Sequence, residues 1–149
     1  MRYFFILGTN QTLSIAEISA VFGIEKNSGL DFDLPQKNVF ILEVDREIKA
    51  KELIKNLGGT IKIGQVHYKA GRKKEEILEK VLIFLNPNSI GKFKFGISYY
   101  GQTKFNIKPL AMEIKKFLRE KKINCRWVTS REDTLSSVVV EQNKMIDNG

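Results

Sequence analysis

The sequence predicts a mixed α/β (α+β) fold made of two small domains, residues 1–69 and 70–149, and three observations carry that expectation. Runs with the two-residue period of strands alternate with runs of helical period along the chain. Capping and turn residues fall at the boundaries between those runs. The charge is also unevenly divided. Residues 1–68 hold eight Lys/Arg and eight Asp/Glu, and residues 69–149 hold seventeen and nine, so the whole net charge of +8 lies in the second half.

At 149 residues, 42% hydrophobic and 28% charged, the chain has the make-up of a globular protein long enough for one ordinary domain or two very small ones. The opening MRYFFILG has an apolar run from Tyr3 to Leu7 only, shorter than a signal peptide needs. No stretch approaches a membrane span. The single cysteine, Cys125, excludes an internal disulfide framework. These features predict a cytoplasmic protein with no membrane partner.

The elements of the first half read in order as β-α-β-α-β. Arg2 to Gly8 is an apolar, aromatic run closed by glycine, the pattern of a strand buried on both faces. In LSIAEISAVFG, Ser14 and Glu17 have capping-box spacing, with Leu13 and Ile18 at the staple positions, which predicts a helix start. Glu25 to Lys37, broken by Gly29 and Pro35, reads as a loop or a weak hairpin. Asn38 to Val44 is the next strand, Ile48 to Leu57 a helix ended by Gly58, and TIKIGQVHYKA a strand disturbed at Gly64.

The second half reads as α-β-α-β-β. RKKEEILEKVLIFL is a helix stopped by Asn86-Pro87. Lys92 to Tyr100 alternates Phe93, Phe95, Ile97 and Tyr99 with Lys92, Lys94 and Ser98, which predicts a half-buried strand with a wet, basic face. Pro109 suits the first turn of a helix running to about Lys121, with Leu110, Ile114, Phe117 and Leu118 inward. On its other side Lys108, Lys115, Arg119 and Lys122 line up as a cationic stripe. NCRWVTS and LSSVVVE supply two further strands, and the terminal Asn148-Gly149 announces a hairpin turn, hence one more strand in a longer protein divided at this point. The order fits one shared sheet or two small packed ones.

Reactive constellations are scarce. His67 and Cys125, one of each, do not make a common zinc site and read as packing residues. No Walker-type or G-x-G-x-x-G run is present, and the nearest phosphate loop is YYGQTKFNIKP, with Gly101, Lys104 and Lys108 before a helix. The acidic pairs Glu75-Glu76 and Asp31 with Asp33 read as solvated surface. A basic half joined to a neutral one suggests a polyanion, nucleic acid first, or a merely solubilising charge. Aromatics are interleaved with the cations around residues 92–131. Phe93, Phe95 and Trp127 read as core, while Tyr99, Tyr100 and the loop cations suit unstacked bases and phosphates.

YFFILGTNQTLSIAEISAVF, FKFGISYYG and RWVTSREDTLSSVVVEQNKM, in that order, resemble the N-terminal half of THUMP-containing tRNA guanosine-N2-methyltransferases. The resemblance implies a mostly antiparallel fragment in which a ferredoxin-like region over residues 1–69 packs with a THUMP-like RNA-binding domain over residues 70–149. It implies tRNA as partner, gripped at the acceptor end. It also implies an S-adenosylmethionine-dependent C-terminal domain, absent here, that does the chemistry. The family's D/N-P-P-aromatic motif is missing, since Pro35, Pro87 and Pro109 are the only prolines, so no catalytic residue, cofactor or metal is assigned to this chain. By position and charge, Lys104 and Lys108 are the first phosphate ligands, followed by Arg126, Arg131 and Lys144. Tyr100 is the stacking candidate, and Lys115 and Arg119 extend the set along the helix. Two rival readings stand beside this one: a small enzyme acting on a phosphorylated metabolite at the Tyr99 to Lys108 loop, and a structural subunit completing its sheet with a partner at Val138 to Val140.

Overall fold

A computed structural model of the chain describes residues 1–24, 32–36, 38–71, 73–85, 93–101, 103, 105–130 and 134–145. The boundary residues Asn86-Pro87, the cation Lys92 and the turn Asn148-Gly149 lie outside the described residues. The chain divides into two compact units, Met1–His67 and Tyr68–Gly149.

In the first unit the order is β1 (Arg2–Leu7), α1 (Gln11–Phe22), β2 (Phe32–Gln36), β3 (Val39–Glu43), α2 (Ala50–Leu53) and β4 (Thr60–Gln65). The four strands form one sheet in the order β2-β3-β1-β4, every neighbouring pair antiparallel. Period-2 alternation sends Tyr3, Phe5 and Leu7 of β1 and Phe40 and Leu42 of β3 to one face. There they bury against Ile18 of α1 and Leu57. Phe5 meets Phe40 and Phe22 edge to face, with ring centroids 6.1 and 6.0 Å apart. On the other face Ile6 is only 3% exposed while Arg2 and Phe4 are half-buried, so the burial on both faces that the sequence predicts is met in part.

Three expectations for this unit change. The expected loop or weak hairpin contains β2, an edge strand pairing Phe32 with Leu42 and Asp33 with Ile41. The helix expected over Ile48 to Leu57 is one turn, α2, followed by a 3-10 turn over Ile54–Asn56. The capping box is not used as one. Asn10 caps α1, its side chain accepting from the Leu13 N–H at 3.1 Å. The Ser14 hydroxyl instead donates to the Gly59 carbonyl at 2.7 Å and lies 2.9 Å from that of Asn10. The Glu17 carboxylate accepts from the Gly58 and Gly59 N–H groups at 2.8 and 2.9 Å. A motif spaced for a local cap has become a clamp between α1 and the loop that enters β4.

In the second unit the order is α3 (Lys74–Phe84), β5 (Phe93–Gly96), α4 (Ile107–Glu120), β6 (Cys125–Val128) and α5 (Ser137–Gln142). β5 and β6 pair in parallel, Phe93 with Cys125 through Gly96 with Val128, which departs from the mostly antiparallel arrangement expected. A parallel pair needs a crossover, and α4 is that crossover. Phe95 and Cys125 pack on Leu110, Ala111, Ile114 and Leu118 of α4, with Phe93 and Trp127 partly buried beside them, so the core expectation for those aromatics holds.

The strand expected at LSSVVVE is helix α5, making the unit α-β-α-β-α in place of α-β-α-β-β. Ser136 caps it by accepting from the Val139 N–H at 3.3 Å, and the Val140 N–H donates to the Ser136 carbonyl. Leu135, just before the cap, is buried, and a Cβ on Gly96 would lie 2.0 Å from its Cδ1. The Leu135 N–H donates to the Ser98 hydroxyl at 3.0 Å. These anchors outweigh the strand preference of three consecutive valines, whose helix cost is up to about 0.7 kcal/mol each. The segment covers the Lys94–Gly96 face of β5, so the wet, basic face expected there is partly occupied.

Candidate nucleic-acid interface

Helix α4 is the best-defined basic element. It is strongly amphipathic, with Leu110, Ala111, Ile114 and Leu118 buried. At about 100° per residue, Lys108, Lys115 and Arg119 fall within roughly 40° of one another around the axis and over about 16 Å along it. Lys108 and Arg119 are exposed and Lys115 is half-buried. Among the described residues none of the three forms an ion pair. The acids of the helix are segregated away from this strip, Glu113 facing Lys74 at 3.6 Å. Met112 lies in the strip, 50% exposed, an apolar surface among cations that charge counting alone passes over. Lys122 sits beyond the helix end with φ 59°, outside the helical geometry that predicted the stripe to include it.

The helix N-terminus offers less to a phosphate than the sequence suggested. Of its four unsatisfied backbone donors, that of Lys108 is used by the Asn106 side chain at 3.1 Å, and Pro109 has none. The preceding loop folds on itself. The Tyr99 hydroxyl lies 3.2 Å from that of Thr103, its ring centroid is 5.3 Å from that of Phe105, and a Cβ on Gly101 would collide with the Tyr99 ring. Tyr100 is half-buried with its hydroxyl oxygen enclosed. Lys104 lies outside the described residues.

A second group of cations gathers on the α5 side of the β5–β6 pair. The register sets Lys94 beside Arg126. Lys94 Nζ donates to the Asn143 carbonyl at 2.6 Å, placing a cation on the carbonyl end of α5, where the helix dipole favours it. Arg126 is exposed, as is Lys144, the neighbour of Asn143, whose φ is 50°. Arg126 thus lies beside Lys94 in the register, and Lys144 directly follows the residue whose carbonyl Lys94 reaches. The α4 residues that pack on the sheet, by contrast, meet the opposite side, through Cys125 and Phe95. Lys108, Lys115 and Arg119 are therefore a separate strip. Arg131 lies outside the described residues.

Among the described residues there is no cluster of three or more His, Cys, Asp or Glu able to hold a metal. Cys125 is buried, its thiol 3.9 Å from the Lys115 carbonyl. An open cavity of about 380 Å³ in the first unit lies between the end of α1 and α2, with Phe22, Ile48 and Leu53 in its lining. Its charged residues include Lys49 and Glu52, which face each other at 3.8 Å and are mostly exposed. Among the described residues no helix is long and apolar enough to cross a membrane. No family model matches the chain, and neither a curated protein nor a solved structure is detectably similar to it.

Proposed function

We propose that the chain is an RNA-binding, substrate-recognition module that grips the acceptor end of tRNA, with an S-adenosylmethionine-dependent guanosine-N2-methyltransferase domain outside these 149 residues doing the chemistry. The observation that carries the RNA-binding part is the α4 strip, three aligned cations free of acidic partners among the described residues, on a unit that holds the whole excess charge. Over about 16 Å such a strip meets several phosphates of a nucleic-acid strand. Arg126 and Lys144 add a second contact point. The tRNA assignment rests on the sequence resemblance. The β-α-β-β-α-β order of the first unit supports its ferredoxin-like part, and α5 in place of a last strand departs from the THUMP-like order expected.

The rivals draw less support. Val138 to Val140 are helical, so they offer no strand edge for a partner, and Tyr99 to Lys108 contains no carboxylate or imidazole to act as acid or base.

Fluorescence anisotropy with labelled tRNA tests the reading. Affinity falls steeply between low and moderate salt. Replacing Lys108, Lys115 and Arg119 together by alanine lowers the slope of log affinity against log salt by about 2 to 3 units. Salt-insensitive binding overturns the phosphate grip. Equal affinity for tRNA lacking its acceptor end overturns the acceptor-end assignment while leaving RNA binding in place.

A further inference from the structure

Helix α5 is a poor helix by its own sequence. Six residues fall far short of the length at which a helix holds together unaided, and three of them, Val138, Val139 and Val140, are β-branched. None of its residues is buried. What keeps it in place lies at its ends. Leu135, ahead of the Ser136 cap, and Met145, beyond the last turn, both lie over Gly96, where a Cβ would fall 2.0 Å from Leu135 Cδ1 and 3.3 Å from Met145 Cε. The Lys94 ammonium adds a third hold, donating to the Asn143 carbonyl at 2.6 Å. The segment is thus a strap across one face of the β5–β6 pair, latched by a cation. On that face Lys94 is paired in register with the exposed Arg126, the two strands about 4.8 Å apart.

We propose that α5 is an autoinhibitory strap: RNA phosphate takes Lys94 from the Asn143 carbonyl, and the strap lifts from the β5–β6 face as RNA binds there. This rests on the RNA-binding reading above and adds a regulation of its second contact point. The exchange favours the phosphate, because an anionic oxygen meets the ammonium with a full charge where a carbonyl offers only a dipole. The two states oppose each other. A phosphate on Lys94 would stand against the carbonyl end of α5, the negative pole of the helix. With the strap lifted, Lys94 and Arg126 are two cations one strand spacing apart, able to hold one phosphate between them. The α4 residues pack on the opposite face of the pair, so opening leaves that core in place. Closure reduces the apparent RNA affinity by the fraction of molecules in which the strap is open. The coupling is reciprocal, so a change that weakens α5 strengthens RNA binding.

Amide exchange over residues 137–142 of the full chain, measured with and without saturating tRNA, reads the strap directly. Exchange there is expected to rise several-fold on binding while the amides of α4 stay protected. Affinity reads the reverse coupling. Ser136→Ala removes the cap and leaves every charge in place, and is expected to tighten tRNA binding by up to about fivefold. Val138→Ala, at an exposed site, favours the helix and is expected to weaken binding by up to about twofold. Exchange over residues 137–142 that is unchanged or slowed at saturation overturns the proposal, as do cap and valine variants that move affinity in the same direction or not at all. Absence of tRNA binding overturns the reading on which the strap depends, and the strap with it.

Discussion

Ser14 and Glu17 have the spacing of a capping box, yet their side chains reach across to Gly58 and Gly59. The Gly59 and then the Gly58 N–H groups hold the Glu17 carboxyl below its ordinary value of 4.5. A carboxyl depressed in the folded state leaves the unfolded chain binding more protons in acid. The clamp's contribution is therefore complete above about pH 4.5 and is lost as pH falls through the depressed value. Denaturant titrations at pH 6 and pH 3 are expected to show a larger loss of stability for the wild type than for Glu17→Gln; equal losses would remove the clamp from the account. Gly59 is fixed by the same contact. A Cβ there would lie 2.4 Å from Ser14 Oγ and 3.0 Å from Ser14 Cα. Because helix backbone cannot yield as a side chain does, Gly59→Ala is expected to cost about 1–3 kcal/mol, read as a lower melting temperature.

Among the elements, α5 depends most on its ends. It is six residues long, with Ser136 at one end and the Lys94 ammonium on the Asn143 carbonyl at the other. Ser136→Ala is expected to cost about 1 kcal/mol. Lys94→Met is expected to speed amide exchange over residues 137–142 while leaving α4 protected, and unchanged exchange there would show that the cation does not hold the helix end. The same element shows where sequence reading stops. Most strands and the existence of helices α1, α3 and α4 follow from periodicity, most clearly in α4, whose Leu110, Ala111, Ile114 and Leu118 form a buried stripe. The β2 segment was obscured by Pro35 and by side chains that are exposed or half-buried on both faces. The valines of α5 pointed to a strand, since its anchors, the Gly96 surface and a cation on β5, lie far away in sequence. Lys108, Lys115 and Arg119 of the α4 strip were readable from spacing, which also drew in Lys122 from beyond the helix end. The role of Lys94 was not, because its acceptor is a backbone carbonyl and leaves no trace in residue type.

At the scale of the whole molecule, each hydrophobic cluster is drawn, among the described residues, from one unit only: Tyr3 to Ile63 in the first, Ile77 to Trp127 in the second. Each unit therefore has what it needs to form its own core. Residues 1–67 and 68–149 produced separately are each expected to unfold cooperatively, with salt-dependent RNA affinity in the second alone. RNA affinity in the neutral first unit would contradict the placement of the interface.

The parallel pairing of β5 with β6 bears on the order in which the chain acquires its structure. The β2–β3 pair joins strands close together in sequence. The β5–β6 pair spans the whole of α4, and Leu135, from beyond β6, packs over Gly96. Contacts so separated in sequence form slowly, because the loop's entropy is lost before the contact rewards it. In pulse-labelled hydrogen exchange, the amides that pair β2 with β3 are expected to gain protection before those that pair β1 with β4, at opposite ends of the first unit, and before those of β5, β6 and α5.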